Sequence, residues 1–246
     1  MPRFALPFLI LTMALAGCFY PSQPDGGGTD PPAPLTPTAY FTETPTPPAP
    51  TTTATASTTA APTVTSTPEP FGCLKPPEDY TRVVVNGQVV NRRTLAMLEQ
   101  AQALYGGELE ITGYAITQGS YTDAVSASFG THSGGGAVDL SVLRRDTFIV
   151  LWDDIPLLIR ALRAAGFAAW LREYGELHPG SPYHIHAIAV GDAELSFAAQ
   201  GQLTGEAGYF RGFSGLTDAN GLPTPDRYGE PVICGWMIEL GYGDMR

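Results

Sequence analysis

The apolar positions of this chain change period several times, and each change marks an element. Val83-Val84-Val85 and Val89-Val90 flank Asn86-Gly87, the pair that favours a two-residue type I′ hairpin. From Arg92 to Tyr105 the spacing lengthens, with Leu95, Leu98, Ala101 and Leu104 near one face. This predicts a helix capped by Asn91 and stopped by Gly106-Gly107. Leu109 to Thr117 reads as a strand, and Val138, Leu140 and Val142 alternate around Asp139 as in another. A second helix is predicted from Asp153 or Asp154 to Ala165. Pro156 suits its first turn, Gly166 ends it, and Leu157, Leu158, Leu162 and Ala165 form its stripe.

Phe167 to Leu171 is predicted to be a strand, with Trp170 either in the core or in a pocket wall. A loop follows, Arg172 to Tyr183, a place for a mobile lip; it holds Glu173, Glu176 and His178, the last read as a surface residue. The strand of His184-Ile185-His186 continues through Ala187 to Val190, and a short helix is expected over Ala193 to Gln200. The segment Tyr209 to Tyr228, rich in Gly, Phe, Tyr and Asp, reads as a packed surface loop rather than a groove lining. Val232 to Leu240 reads as a final strand carrying Cys234.

The N-terminal third follows a different pattern. Residues 1 to 18 have the form of an export signal: Arg3, then an apolar stretch from Phe4 to Leu15 too short to span a bilayer comfortably. Its end, Leu15-Ala16-Gly17-Cys18, resembles a bacterial lipobox. Cleavage before Cys18 would leave a diacylated cysteine and a stable membrane anchor. An ordinary secretory signal or an uncleaved anchor are the alternatives, and both also place the domain outside the cytoplasm. Residues 19 to 72 are Pro- and Thr-rich with almost no charge. They read as a disordered, semi-stiff tether, because they hold too little apolar side chain to offset the entropy of ordering. Residues 73 to 246 remain as one domain with a core of its own. Of the three cysteines, Cys73 and Cys234 lie at its two ends. In an oxidising compartment they suggest a disulfide, with two free buried thiols as the alternative.

The formal net charge of −11 at pH 7 argues against nucleic acid as a partner, since phosphate binding needs cationic patches. It also disfavours docking on anionic lipid, so membrane attachment rests on the N-terminal lipid. There is no phosphate loop, no nucleophile elbow and no dinucleotide fingerprint. The chain reads as a monomer.

The chemistry concentrates in two segments, Gly130 to Leu140 and Tyr183 to Ala187, which hold three of the four histidines. A lone His-x-His is commonly a solvated strand edge, but here a strand would turn both imidazoles to one face. Asp139 is the one charge in an apolar run, and buried charges are normally paired or metal-bound. Two adjacent strands would bring His132, Asp139 and one or both of His184 and His186 to a point. Imidazole and carboxylate are the ligands zinc takes at catalytic sites.

His132, Gly135, Ala137 and Asp139 fall in register with the Ser-x-His-x-x-Gly-x-Ala-x-Asp signature. The chain thus resembles the zinc D-Ala-D-Ala carboxypeptidases and dipeptidases, a group that also includes lysostaphin-type endopeptidases and the hedgehog signalling domain. The likeness covers roughly residues 80 to 200, with Gly130 replacing the first serine. It implies an α+β fold: a small, mostly antiparallel sheet with flanking helices, hedgehog/D-Ala-D-Ala-peptidase-like. It implies one zinc ion on His132, Asp139 and His186, with His184 beside it as general base or transition-state stabiliser. It implies an oxyanion donor just before the first motif, where Gln118 stands; a plain turn is the alternative there. The activity implied is hydrolysis of peptidoglycan stem peptides.

One departure from the family bears on mechanism. Many members carry a glutamate base three residues before the last ligand, and here that position is Tyr183. Either His184 takes the proton, or Glu173 or Glu176 reaches in, or the site holds zinc and turns over poorly. The rival readings are accordingly a non-catalytic zinc-stabilised module that binds cell wall or protein, and a purely structural lipoprotein domain. A carboxypeptidase would also need a cation for the substrate's free carboxylate, and Arg144, Arg145 and Arg172 are available.

Overall fold

The computed structural model describes residues 70–246. The expected signal peptide, lipidation of Cys18 and nearly all of the tether lie outside the described residues. Among the described residues, no helix is long and apolar enough to cross a membrane.

The domain opens with the hairpin β1 (Arg82–Val85) and β2 (Gln88–Asn91), turned by Asn86 and Gly87, both at positive φ. The Asn86 amide donates to the carbonyls of Tyr114 and Ile116, tying the turn to the next strand. Helix α1 (Arg92–Tyr105) has the expected bounds: the Asn91 side chain accepts from Thr94 N–H, and Gly106 closes the helix in the left-handed conformation. Leu98 and Ala101 are buried as the spacing predicts, with Met97 and Tyr105; Leu95 and Leu104 are only partly buried against the core.

The predicted strand Leu109 to Thr117 is shorter, and β3 covers only Ile116–Gln118. Leu109 and Ile111 are fully buried, but they reach the core from turns whose backbone amides bond to Tyr105 Oη and Gln102 Oε1. Strand β4 (Ala137–Ser141) is followed by helix α2 (Asp154–Ala164). The inward stripe of α2 is Ile155, Leu158, Ile159, Ala161 and Leu162, whereas Leu157, predicted to belong to it, is 47% exposed.

Next come β5 (Phe167–Arg172) and β6 (His184–Ala189). Helix α3 (Phe197–Thr204) lies four residues later than predicted. The Ser196 side chain caps it by accepting from Ala199 N–H, which excludes Ala193 to Leu195. Beyond a 3₁₀ turn at Tyr209–Arg211, β7 (Phe213–Thr217) and β8 (Pro223–Pro225) form a small antiparallel ribbon in what was read as a loop. The predicted final strand over Val232 to Leu240 is instead helix α4 (Gly235–Glu239). Trp236 and Met237 both turn inward while Ile238 is 62% exposed, a pattern of one helical turn and not of alternation.

The central sheet has the order β3-β4-β6-β5 with every neighbour antiparallel. The chain is therefore mixed α and β with small antiparallel sheets, as an α+β reading requires. Val138, Leu140, Ile185, Ala187, Ala169 and Leu171 share one face and pack with buried residues of α1 and α2. Ala137, Ile188, Ala168 and Trp170 share the other, with Ala199 and Leu203 of α3, Tyr209, Phe210 and Trp236. Strands β4, β5 and β6 are covered on both faces, which explains their nearly unbroken burial.

Cys73 and Cys234 form a disulfide, with Cα atoms 5.5 Å apart across a sequence separation of 161. It fastens the start of the domain to α4, and a loop this long strongly restricts the unfolded chain. We expect the double substitution Cys73→Ser, Cys234→Ser to lower unfolding free energy by about 2–5 kcal/mol. Denaturant titration of the full chain tests this; an unchanged midpoint would show that the bridge contributes nothing.

Candidate metal centre

Strand pairing builds the site. In the sheet register Gln118 lies opposite Asp139, Asp139 opposite His186, and His186 opposite Trp170. Ser141, His184 and Arg172 form the next row on the same face. Directly opposed residues on one face hold their Cβ atoms about 4.5–5.5 Å apart. The period of 2 in His184-Ile185-His186 and the pairing with β4 thus put both imidazoles beside Asp139.

His132 comes from the 3₁₀ turn Thr131–Ser133 just before β4. Two glycines bring the chain from that turn into the strand. Gly136 has φ +78, which side chains rarely adopt, and a Cβ on Gly134 would run into the Glu194 carbonyl and Ser196 nitrogen. The Glu194–Ser196 backbone passes that closely because Gly135 N–H donates to Glu194 O at 2.7 Å. Gly130 starts the turn with a left-handed φ of 78°.

One ligand atom from each of His132, Asp139 and His186 lies within 4.8 Å of the others, so this group could hold a metal ion. His132 Nε2 is 3.3 Å from Asp139 Oδ1, and His186 Nδ1 is 2.7 Å from the same oxygen. His132 and His186 are about 1% and 5% exposed. The outward nitrogens are engaged too: His132 Nδ1 is 2.8 Å from Gly119 O, and His186 Nε2 is 3.0 Å from Gln202 Oε1. Each of these two rings thus has an acceptor on both sides, and with the inward proton displaced by a cation the outer acceptors would hold the remaining proton of each ring. The donor set of two imidazoles and a carboxylate suits a divalent cation.

The charges agree with such a site. Burial opposes ionisation of Asp139, yet hydrogen bonds from His132 and His186 hold its carboxyl far below the usual range. Burial lowers the His186 pKa to about 4, which keeps this imidazole neutral. Burial also disfavours charge on His132, but its hydrogen bond to Asp139 and that residue's charge outweigh it and raise the pKa. Without metal, a proton between His132 and Asp139 satisfies the cluster. Trp170, fully buried, stacks on His186 with ring planes 11° apart and so serves both as core and as site wall.

His184 stands beside this group. Its Nδ1 donates to Pro182 O at 2.8 Å, and its buried Nε2, 3.8 Å from Asp139 Oδ2, has no hydrogen-bond partner. Gln118 faces the same pocket, its Nε2 donating to Ser128 Oγ at 2.9 Å with a second N–H left over. Ser181, whose buried hydroxyl also lacks a partner, and exposed His178 complete that rim.

Other residues weighed from the sequence lie elsewhere. Tyr183 packs against the rings of Trp152 and Tyr174. Glu173 pairs with Arg227, and Glu176 accepts from Glu173 N–H and lies 3.7 Å from Arg172. Of the two pockets that meet at Asp139, neither has another carboxylate in its lining. Arg144 is bound to Glu108 and Arg145 lies over Tyr114. Arg172 does line the pocket, as do Gln202 and Leu216, which sequence reasoning passed over. Gln202 reaches His186 only because α3 docks on the sheet, and Leu216 enters from the segment read as a packed loop.

Comparison of the chain with known protein families, with curated proteins and with solved structures returns no match.

Proposed function

We propose that the domain is a zinc metallopeptidase of the D-Ala-D-Ala carboxypeptidase type, with a hedgehog/D-Ala-D-Ala-peptidase-like fold, acting on peptidoglycan stem peptides. In this reading acylation of Cys18 holds it outside the cytoplasm. The observation that carries the reading is the convergence of His132 Nε2, Asp139 and His186 Nδ1 within 4.8 Å, with the free Nε2 of His184 alongside.

Zinc bound there would lower the pKa of a water and polarise the scissile carbonyl. The protein's own residues would do the rest. Held by Pro182 O with its proton on Nδ1, His184 presents a lone pair at Nε2 that accepts the proton of the attacking water. His184 then returns this proton to the leaving amine. Gln118 directs its spare amide N–H at the charge developing on the carbonyl oxygen. Trp170 and Leu177 shield the reacting groups from bulk water.

A second reading, a zinc-stabilised binding module, draws support from Tyr183 packed between Trp152 and Tyr174 where relatives carry a glutamate. One experiment separates the two. The full chain, purified in detergent, is assayed for metal and incubated with a pentapeptide muropeptide, and products are read by mass. We expect about one zinc per chain and loss of a terminal residue. Zinc without cleavage of any stem peptide would favour the binding module, and absence of zinc would remove both readings.

A further inference from the structure

The cleft beside Asp139 has two unequal sides. At Arg172 the free space is only about 20 Å³, room for about one water. On the side of Gln118, Ser181 and His184 it is about 220 Å³, more than the roughly 150 Å³ that accommodates a benzene ring. Only the larger side seats a residue of a peptide. Its apolar wall is Val125, Ala127, Leu177 and Pro182. Of its lining residues, only Asp139, His178 and His184 can carry a charge, and Asp139 belongs to the metal group. A charged side chain taken from water needs a partner there, so the cavity suits an uncharged one.

One polar group in this cavity has no task in the chemistry described above. Ser181 is about 2% exposed, lines the cavity, and its hydroxyl has no hydrogen-bond partner. The residue is held through its main chain: its N–H donates to His178 O at 3.0 Å, and its carbonyl accepts from Gly175 N–H at 2.9 Å. A buried hydroxyl left unmet is costly, and an alanine would avoid that cost without disturbing either main-chain bond. The other open groups are already matched. His184 Nε2 offers a lone pair for the proton of water, and the spare N–H of Gln118 serves the developing charge. The donor left to hold the peptide is Ser181.

We propose that Ser181 is a positioning residue: its hydroxyl donates to a backbone carbonyl of an uncharged peptide residue seated in this cavity, next to the bond attacked. A hydroxyl donates one hydrogen bond, and every peptide residue brings a carbonyl to accept it, whatever its side chain. Held by the loop before any ligand arrives, the hydroxyl sets the register of the peptide against the metal group. The proposal rests on the peptidase reading, which supplies the bond attacked; the contact itself is also open to measurement by binding.

The test uses the zinc-loaded full chain as wild type, Ser181→Ala and Ser181→Thr. The substrates are the pentapeptide muropeptide and analogues with an (E)-alkene in place of an amide next to the scissile one, which keeps the shape and removes the carbonyl. We expect Ser181→Ala to lower kcat/KM on the parent roughly two- to tenfold, the scale of one neutral hydrogen bond. Wild type should lose a similar factor on one alkene analogue, and Ser181→Ala should cleave that analogue as fast as the parent, the two losses not multiplying. Ser181→Thr, which keeps the hydroxyl, should recover most of the rate. With glutamine and glutamate placed in turn at the seated residue, glutamine should be cleaved at least tenfold faster. Wild-type rates equal on parent and every analogue would overturn the proposal whether or not the variants fold. So would losses that multiply, or an unchanged Ser181→Ala, which would show a hydroxyl that holds only water. Equal rates on glutamine and glutamate would overturn the uncharged residue.

Calorimetric titration of the same peptides into the chain as purified gives a readout independent of turnover. Tighter binding of the parent than of one alkene analogue, with the difference abolished in Ser181→Ala, supports the contact even if no peptide is cut, in which case the peptidase reading fails by itself. Equal binding of parent and analogues, or none, would overturn the contact.

Discussion

Replacing His186 by alanine is expected to strip stoichiometric zinc from the full chain and to abolish peptide hydrolysis with it. Only His132 and Asp139 of the convergent group would remain, one donor short of the three that catalytic zinc normally takes from protein. The graded companion is Gln202→Ala. Gln202 touches His186 on the far side, at 3.0 Å, and fixes which nitrogen is free. Losing such an outer partner costs roughly ten- to a hundredfold in metal affinity, so this variant should still load at high zinc but lose it to a chelator earlier. Competition with a chromogenic chelator gives both numbers. Undiminished zinc in His186→Ala would mean that the ion sits elsewhere. Undiminished affinity in Gln202→Ala would mean that His186 uses its other nitrogen.

The contrast between His186 and Gln202 also marks how far the site was legible. His132, Asp139, His184 and His186 could be singled out because their signals are local: a charge in an apolar run, a period of 2 across His-x-His, and a glycine-rich approach. Asp139, His184 and His186 sit on strands whose alternation is visible in the chain, and His132 on the glycine-flanked turn that precedes one. Gln202 and Leu216 carry no such signal. They reach the site through the docking of α3 and the β7–β8 ribbon, and the sequence around them would look the same if they faced solvent. Arg172 lies between these cases: as an available cation it was visible, but its burial and unpartnered Nη2 depend on packing against Trp170 and Gly215.

The fold shows the same division. Helix α1 was legible to the residue because Asn91 and Gly106 act on their own neighbours. The segment Val232 to Leu240 was not: a short apolar run suits strand and helix alike, and what decides is the anchoring of Cys234 to Cys73 and the pocket that takes Trp236 and Met237 together. In α2, Leu157 lies beside the inward stripe, and only the position of α1 selects Ile155 and Ile159 over it.

His184→Ala gives the second large effect, and it should separate chemistry from metal binding. His184 Nε2 is 3.8 Å from Asp139 Oδ2, and the metal group closes without it. Zinc content should therefore be retained while kcat falls by roughly 10²–10⁴, the contribution of a positioned proton-transfer group. That range corresponds to about 3–5 kcal/mol of transition-state stabilisation. KM should change little, because the imidazole acts on a proton and not on the contacts that hold the peptide. The hydrogen bond to Pro182 O makes a further distinction: it fixes the free lone pair on Nε2, so an asparagine or glutamine at 184 could fill the space without supplying a base. A full rate in His184→Ala would move the proton to another group. Glu176 would be next in line, since movement of its loop would release it from Arg172 and from Glu173 N–H, and Glu176→Gln would then have to show the loss that His184→Ala did not.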